Sequence, residues 1–188
     1  LSADKMSDTL AFTNKYELAE LTITKAFDGE ELTDEQKESV SFTVTGPNGY
    51  EETFTYGDME NGSKTLSDLK LGEYTVTEDA TLDGYKLTMT PATGSAGTTL
   101  SADKMSDTLA FTNKYELGTL TITKSASGLQ DDDEVPGTTT FMVKTGHETY
   151  VTFTYSQMEN VDGVMTKVFE DVPVDATYSV EESGAEVT

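Results

Sequence analysis

Eighteen residues, LSADKMSDTLAFTNKYEL, occupy positions 1–18 and return unchanged at 100–117, an offset of 99 residues (1 to 100). LTITK follows each copy, at 21–25 and again at 120–124. A chain that repeats itself this way is an array of one unit, and that unit must bury a core of its own and recur. The unit is residues 19–117. Residues 1–18 read as the final strand of a preceding repeat, and 118–188 as a second unit lacking its final strand. In that second unit TFTYSQMENVDG follows the pattern of TFTYGDMENG, and ATYSVEES that of GEYTVTED.

Within the unit the signals are β. Thr, Val, Tyr and Phe alternate with polar residues in SFTVTG (41–46), ETFTYG (52–57), EYTVTE (73–78), YKLTMT (85–90) and TLAFTN (108–113). Turn chemistry separates them at GPNG (46–49), ENG (60–62), LDG (82–84) and ATGSAG (92–97). Thr33 and Gln36 have capping-box spacing, which predicts a helical turn over 33–38. About seven short strands per unit predict an all-β chain of tandem immunoglobulin-like β-sandwich domains.

Composition narrows the partners. The 12 cationic residues face 35 acidic ones, for a formal net charge of -23, and there is no Arg. Such a surface repels nucleic acid and anionic membrane, and phosphate is a poor ligand for it. No apolar run is long enough to span a membrane, and none forms a signal peptide. The absence of Cys leans intracellular taken alone. It is equally compatible with a secreted protein stabilised by other means.

Three strands end their inward face alike. Leu21 and Ile23 are followed by Lys25, Tyr74 and Val76 by Glu78, and Leu109 and Phe111 by Asn113. The second unit repeats the first two with Lys124 and Glu182, and the leading segment offers Leu10, Phe12 and Asn14. One reading has each polar residue past the buried stretch, snorkelling to water. Another is a buried Lys–Glu ion pair beside an Asn, an arrangement that seldom outperforms apolar packing. The third is a reaction, and recurrence of three residue types in two units favours it. Burial pushes an interior Lys toward the neutral, nucleophilic amine and an interior Glu toward the neutral acid. The acid then polarises the Asn carboxamide and relays the proton that lets ammonia leave. An amide between two side chains results, and folding supplies the proximity that makes it fast enough.

These residues resemble the Cna-B family, the collagen-adhesin B-type repeats of Gram-positive surface proteins and pilins. The likeness rests on LTITK (21–25), YTVTEDATLDGY (74–85) and FTNKY (111–115), and spans 19–117 and most of 118–188. It implies Cna-B-like sandwiches held by an intramolecular isopeptide bond, with Lys25 joined to Asn113 and Glu78 assisting. It also implies an extracellular place at the cell surface or cell wall, in an adhesin or pilus. The expected role is a structural stalk or spacer, with a ligand-binding adhesin module for a host protein or glycan as the alternative. No turnover enzyme, cofactor or metal is expected. Expected partners are neighbouring repeats of the same protein.

The second unit has Lys124 and Glu182, but no Asn follows Glu182 where the counterpart of Asn113 is expected. Three accounts compete: the chain is a window on a longer array, its last strand is trimmed, or a second copy completes it head to tail, Asn14 bonding Lys124. Asp131–Glu134 (DDDE) lacks EF-hand spacing and reads as a solvated turn. His147, the only histidine, reads as a turn residue, without the partners a zinc site or a hydrolytic triad needs.

Overall fold

The computed structural model describes residues 9–14, 16–128 and 134–186. The first repeat carries β1 (Ala19–Gly29), β2 (Ser41–Gly46), β3 (Tyr50–Thr55) and β4 (Ser63–Leu69). It continues with β5 (Gly72–Asp79), β6 (Lys86–Thr90), β7 (Ser95–Leu100) and β8 (Ser106–Glu116). One helical turn, α1 (Asp34–Glu38), sits where the Thr33–Gln36 spacing predicts it. Two four-stranded sheets result, ordered β4-β1-β8-β6 and β3-β2-β5-β7. Their inner faces meet: Phe42 of β2 packs edge-to-face on Phe111 of β8, ring centroids 5.5 Å apart. The repeat is thus a β-sandwich, and its strands alternate buried and exposed residues as period-two patterning requires.

Two boundaries differ from expectation. ATGSAG at 92–97 is a turn only as far as Gly94, and β7 starts at Ser95. Small residues form strands weakly by themselves, but β5 offers a full edge, pairing from Thr77↔Ser95 to Gly72↔Leu100. The unit therefore has eight strands. β3 stops at Thr55 because the Asp58 carboxylate accepts from the Thr55 N–H at 2.8 Å, closing a capping box over a 3-10 turn at 56–58.

The first and last strands of the repeat are neighbours in one sheet. The Glu20 N–H donates to the Met105 carbonyl and the Glu30 N–H to the Tyr115 carbonyl, both at 2.9 Å. The offset is 85 at each point (20 to 105, 30 to 115), so β1 and β8 run parallel with no net slip. Gly29 closes this seam at φ +83°, and a Cβ there would lie 2.1 Å from the Tyr115 carbonyl oxygen. Gly29→Ala combines a left-handed backbone with a backbone clash. It is expected to lose about 2 kcal/mol or more in denaturant titration.

The second repeat carries β9 (Gly118–Lys124), β10 (Thr140–Thr145), β11 (Glu148–Thr154), β12 (Glu159–Val161), β13 (Val164–Val172) and β14 (Tyr178–Ser183). Its sheets are β12-β13-β9 and β11-β10-β14. Packing is reused between repeats: Phe141 stacks on Phe153 at 5.0 Å as Phe42 stacks on Phe54 at 5.3 Å. Counterparts of β6, β7 and β8 are not among the described residues after Lys124. Part of the inner face is uncovered as a result, and Val180 is 43% exposed where its counterpart Val76 is 0%.

By compactness the chain divides into two units. One takes in the chain up to Ala26 with Asp34–Ala80 and Met89–Thr112, and the other Phe27–Thr33, Thr81–Thr88 and Asn113–Thr188. The division cuts β1, β6 and β8 instead of following the repeat period.

Among the described residues the expected leading strand is not seen. Residues 9–14 and 16–18 carry no strand, and Leu10, Phe12 and Tyr16 are largely exposed. A lone segment gains nothing from extended geometry until a neighbouring strand satisfies its N–H and C=O groups.

Candidate functional site

Lys25 is the third inward residue of β1, after Leu21 and Ile23, and all three are buried. Glu78 holds the same place on β5, after Tyr74 and Val76. β1 and β5 belong to opposite sheets, and across the sandwich Lys25 Nζ lies 3.0 Å from Glu78 Oε1, with both side chains fully shielded. Asn113 is buried on β8, the strand beside β1. In a parallel ladder a residue faces the one just beyond the carbonyl that its N–H reaches, so an N–H to carbonyl offset of 85 sets Lys25 level with Phe111.

None of the three snorkels. Tyr115 lies buried beyond Asn113, and Ala80 beyond Glu78. These polar groups therefore sit inside the core. Their surroundings are apolar: Phe42 pairs opposite Glu78 in the sheet and packs against both Phe54 and Phe111. Gly62 fixes the backbone at the site, its carbonyl accepting from the Lys25 N–H at 2.8 Å. At Gly62, φ is +73° and a Cβ would lie 2.7 Å from the Lys25 carbonyl oxygen. The ENG turn signal marked a turn here without revealing that it braces the lysine.

Burial pulls the Lys25 amine below its ordinary value of 10.5, while the hydrogen bond and charge of Glu78 pull less strongly the other way. The folded chain then binds fewer protons at Lys25 than the unfolded chain as pH falls below 10.5. Stability from this group therefore rises with pH toward 10.5 and declines below it. Asn113→Ala keeps the amine and removes the carboxamide. It is expected to show this rise in denaturant midpoint relative to Lys25→Met/Asn113→Ala, which has no amine to titrate. A flat difference between the two variants would show that burial does not strain the amine.

The second repeat holds the same pair in wetter surroundings. Lys124 Nζ is 2.9 Å from Glu182 Oε1, with the side chains 23% and 31% exposed. Asn14 is exposed and outside any strand. His147 lies in the turn between β10 and β11. Of the acidic run, Glu134 is exposed, and Asp131, Asp132 and Asp133 lie outside the described residues.

The fold is a tandem β-sandwich module, and in its first repeat an amine and a carboxyl group meet in a shielded interior. The family described as "Domain of unknown function (DUF5979)" matches residues 21–116, and the chain belongs to it. No curated protein matches the sequence significantly. Among solved structures it is similar to the Bacillus anthracis TIE protein, with 17% identity and a TM-score of 0.44, over 90% of this chain and 31% of that one. It is similar to a Mobiluncus mulieris adhesin containing intramolecular disulfide, isopeptide and ester bond cross-links, with 23% identity and a TM-score of 0.38. That match covers 54% of this chain and 42% of the adhesin. A third is the C-terminal fragment of the pilus adhesin SpaC from Lactobacillus rhamnosus GG, with 14% identity and a TM-score of 0.48 over 87% of this chain and 75% of that one. The chain thus spans less than half the length of the first two.

Proposed function

We propose that this chain is a load-bearing stalk or spacer segment of a bacterial cell-surface adhesin or pilus, and that each complete repeat locks itself with a Lys–Asn isopeptide bond. The observation that carries the reading is the fully shielded Lys25–Glu78 pair, 3.0 Å apart across the sandwich. A buried ion pair is a poor stabiliser, but the same groups suit a reaction that consumes the amine. Neutral Lys25 Nζ attacks Asn113 Cγ, the carboxamide C–N bond breaks, and Glu78 passes the proton from the attacking nitrogen to the departing ammonia. The product is uncharged and permanent, and the event occurs once per repeat without turnover.

Strand order gives the bond a mechanical use. β1 begins the repeat and β8 ends it, side by side and parallel, so tension at the two ends shears them. A link from Lys25 to Asn113 carries that tension through covalent bonds and shields residues 26–112. No oxidant is needed, which suits a chain without cysteine.

Mass spectrometry of the 188-residue chain and its digest tests this. The expected result is a loss of one ammonia from the formula mass and a branched peptide joining Lys25 to Asn113. Glu78→Ala is expected to restore the full mass. A wild-type chain at its formula mass, with both residues in separate linear peptides, overturns the reading.

A further inference from the structure

We propose that the two repeats meet through a docking surface and not a free hinge. The turn at 82–84 of the first repeat seats against the loop at 172–175 of the second, so the partner this surface fits is a neighbouring repeat of the same chain. The contacts stand independently of the crosslinking chemistry; only their use, a stiff stalk, rests on the stalk reading.

The compact units of the chain cut across the repeat period. Residues 27–33, 81–88 and 113–117 belong by sequence to the first repeat, yet they pack into one compact unit with the second. A unit that straddles a repeat boundary needs contacts across that boundary. The Val174 N–H donates to the Gly84 carbonyl at 2.8 Å. Beside this bond Gly84 approaches Pro173 so closely that an added Cβ would lie 3.1 Å from the Pro173 Cβ. Gly84 stands at φ +84°, so the turn itself favours glycine, and Pro173 uses the space that the missing side chain leaves.

Both sides of the contact are held from behind. In the first repeat Tyr85 follows the turn, and its ring stands edge-on to that of Tyr115 near the end of β8, centroids 5.8 Å apart. In the second repeat the Tyr178 hydroxyl donates to the Pro173 carbonyl at 2.9 Å. Val172 pairs with Gly118 at the start of β9. Gly118 also leaves room for the loop, since a Cβ there would lie 3.2 Å from Val174 Cγ1. Only Leu117 separates the end of β8 from the start of β9. One residue brings two soft dihedrals, and the bond from Val174 to Gly84 restrains them. The short tether keeps the two surfaces at high effective concentration, so a small contact holds without the area a free complex needs. Tension then passes from β8 into β9 without a slack linker, and unfolding of one repeat removes a neighbour contact from the other.

The chain has no cysteine, which allows two thiol tests on the full 188 residues. Gly84→Cys/Pro173→Cys is treated with oxidised glutathione. A Cβ separation of 3.1 Å needs only a small relaxation to reach the spacing of about 3.5–4.5 Å that a disulfide takes. The expected result is an internal disulfide, seen as a loss of two hydrogens in the intact mass and reversed by reductant. Thr88→Cys/Thr152→Cys, exposed on β6 and β11, carries spin labels for a distance measurement by pulsed electron resonance. A single narrow distribution is expected. Adding Pro173→Glu sets a carboxylate against a turn that already carries Asp83, and is expected to broaden the distribution roughly twofold as the dihedrals of Leu117 come free. A broad distribution without Pro173→Glu, or an unchanged one with it, overturns the inference. So do thiols at 84 and 173 that stay free in a folded chain. Should Gly84→Cys disturb the turn, the labelled pair decides alone. The Lys25–Asn113 branched peptide is read in the same digests. Its presence beside a broad distribution leaves the crosslink reading standing and sinks the joint; its absence beside a narrow one does the reverse.

Discussion

Lys25→Ala is expected to lower the melting transition of the first repeat by roughly 25 °C or more. Two losses add. Removing Lys25 leaves Glu78 buried beside apolar rings without the hydrogen bond that the linked amide gives it, and an unsatisfied buried polar group costs about 1–3 kcal/mol, more when charged. Removing the link also frees a loop of 88 residues (25 to 113), and by analogy with a disulfide such a loop constrains the unfolded chain by about 4–5 kcal/mol. A domain of this size shifts by about 4–8 °C per kcal/mol. Calorimetry on wild type, Lys25→Ala and Asn113→Ala separates the contributions, because Asn113→Ala loses the link while keeping the Lys25–Glu78 pair. If Lys25→Ala melts within a few degrees of wild type, neither the link nor the buried charge matters to the fold.

Under force the same substitution is expected to change the outcome in kind. With Lys25 joined to Asn113, tension on the termini extends only the short stretches outside the link, and residues 26–112 contribute no length. In Lys25→Ala the parallel β1–β8 seam must bear the shear on hydrogen bonds alone. Its rupture is expected to release about 300 Å of contour, from 88 peptide units at roughly 3.5 Å each. Single-molecule extension of both chains reads this directly. A step of that size in wild type would mean that the load path does not run through the proposed bond.

The inward sets were legible in the sequence because a strand's period of two separates its faces by parity alone. Leu21, Ile23 and Lys25 had to share a face whatever the sheet order, as had Tyr74, Val76 and Glu78. Repetition then indicated that the polar member of each set was no accident. Less legible were elements whose existence depends on a neighbour. β4, SKTLSDL, and β7, SAGTTL, carry weak intrinsic signals, and each forms against an edge that another strand presents: β1 for β4 and β5 for β7. The leading segment shows the converse. Its described residues, 9–14 and 16–18, repeat those in and just after β8 yet carry no strand there, so local sequence alone does not decide the matter.

Residue order was enough to reveal an array, the β character of its unit, and the three polar side chains turned toward a core, because periodicity and duplication are properties of the chain read along its length. Residue order did not reveal that β1 and β8 lie side by side and parallel, or that Glu78 comes from the opposite sheet to within 3.0 Å of Lys25. Those are relations between segments far apart in sequence, and they exist only once the sheets have paired and the apolar faces have closed on each other.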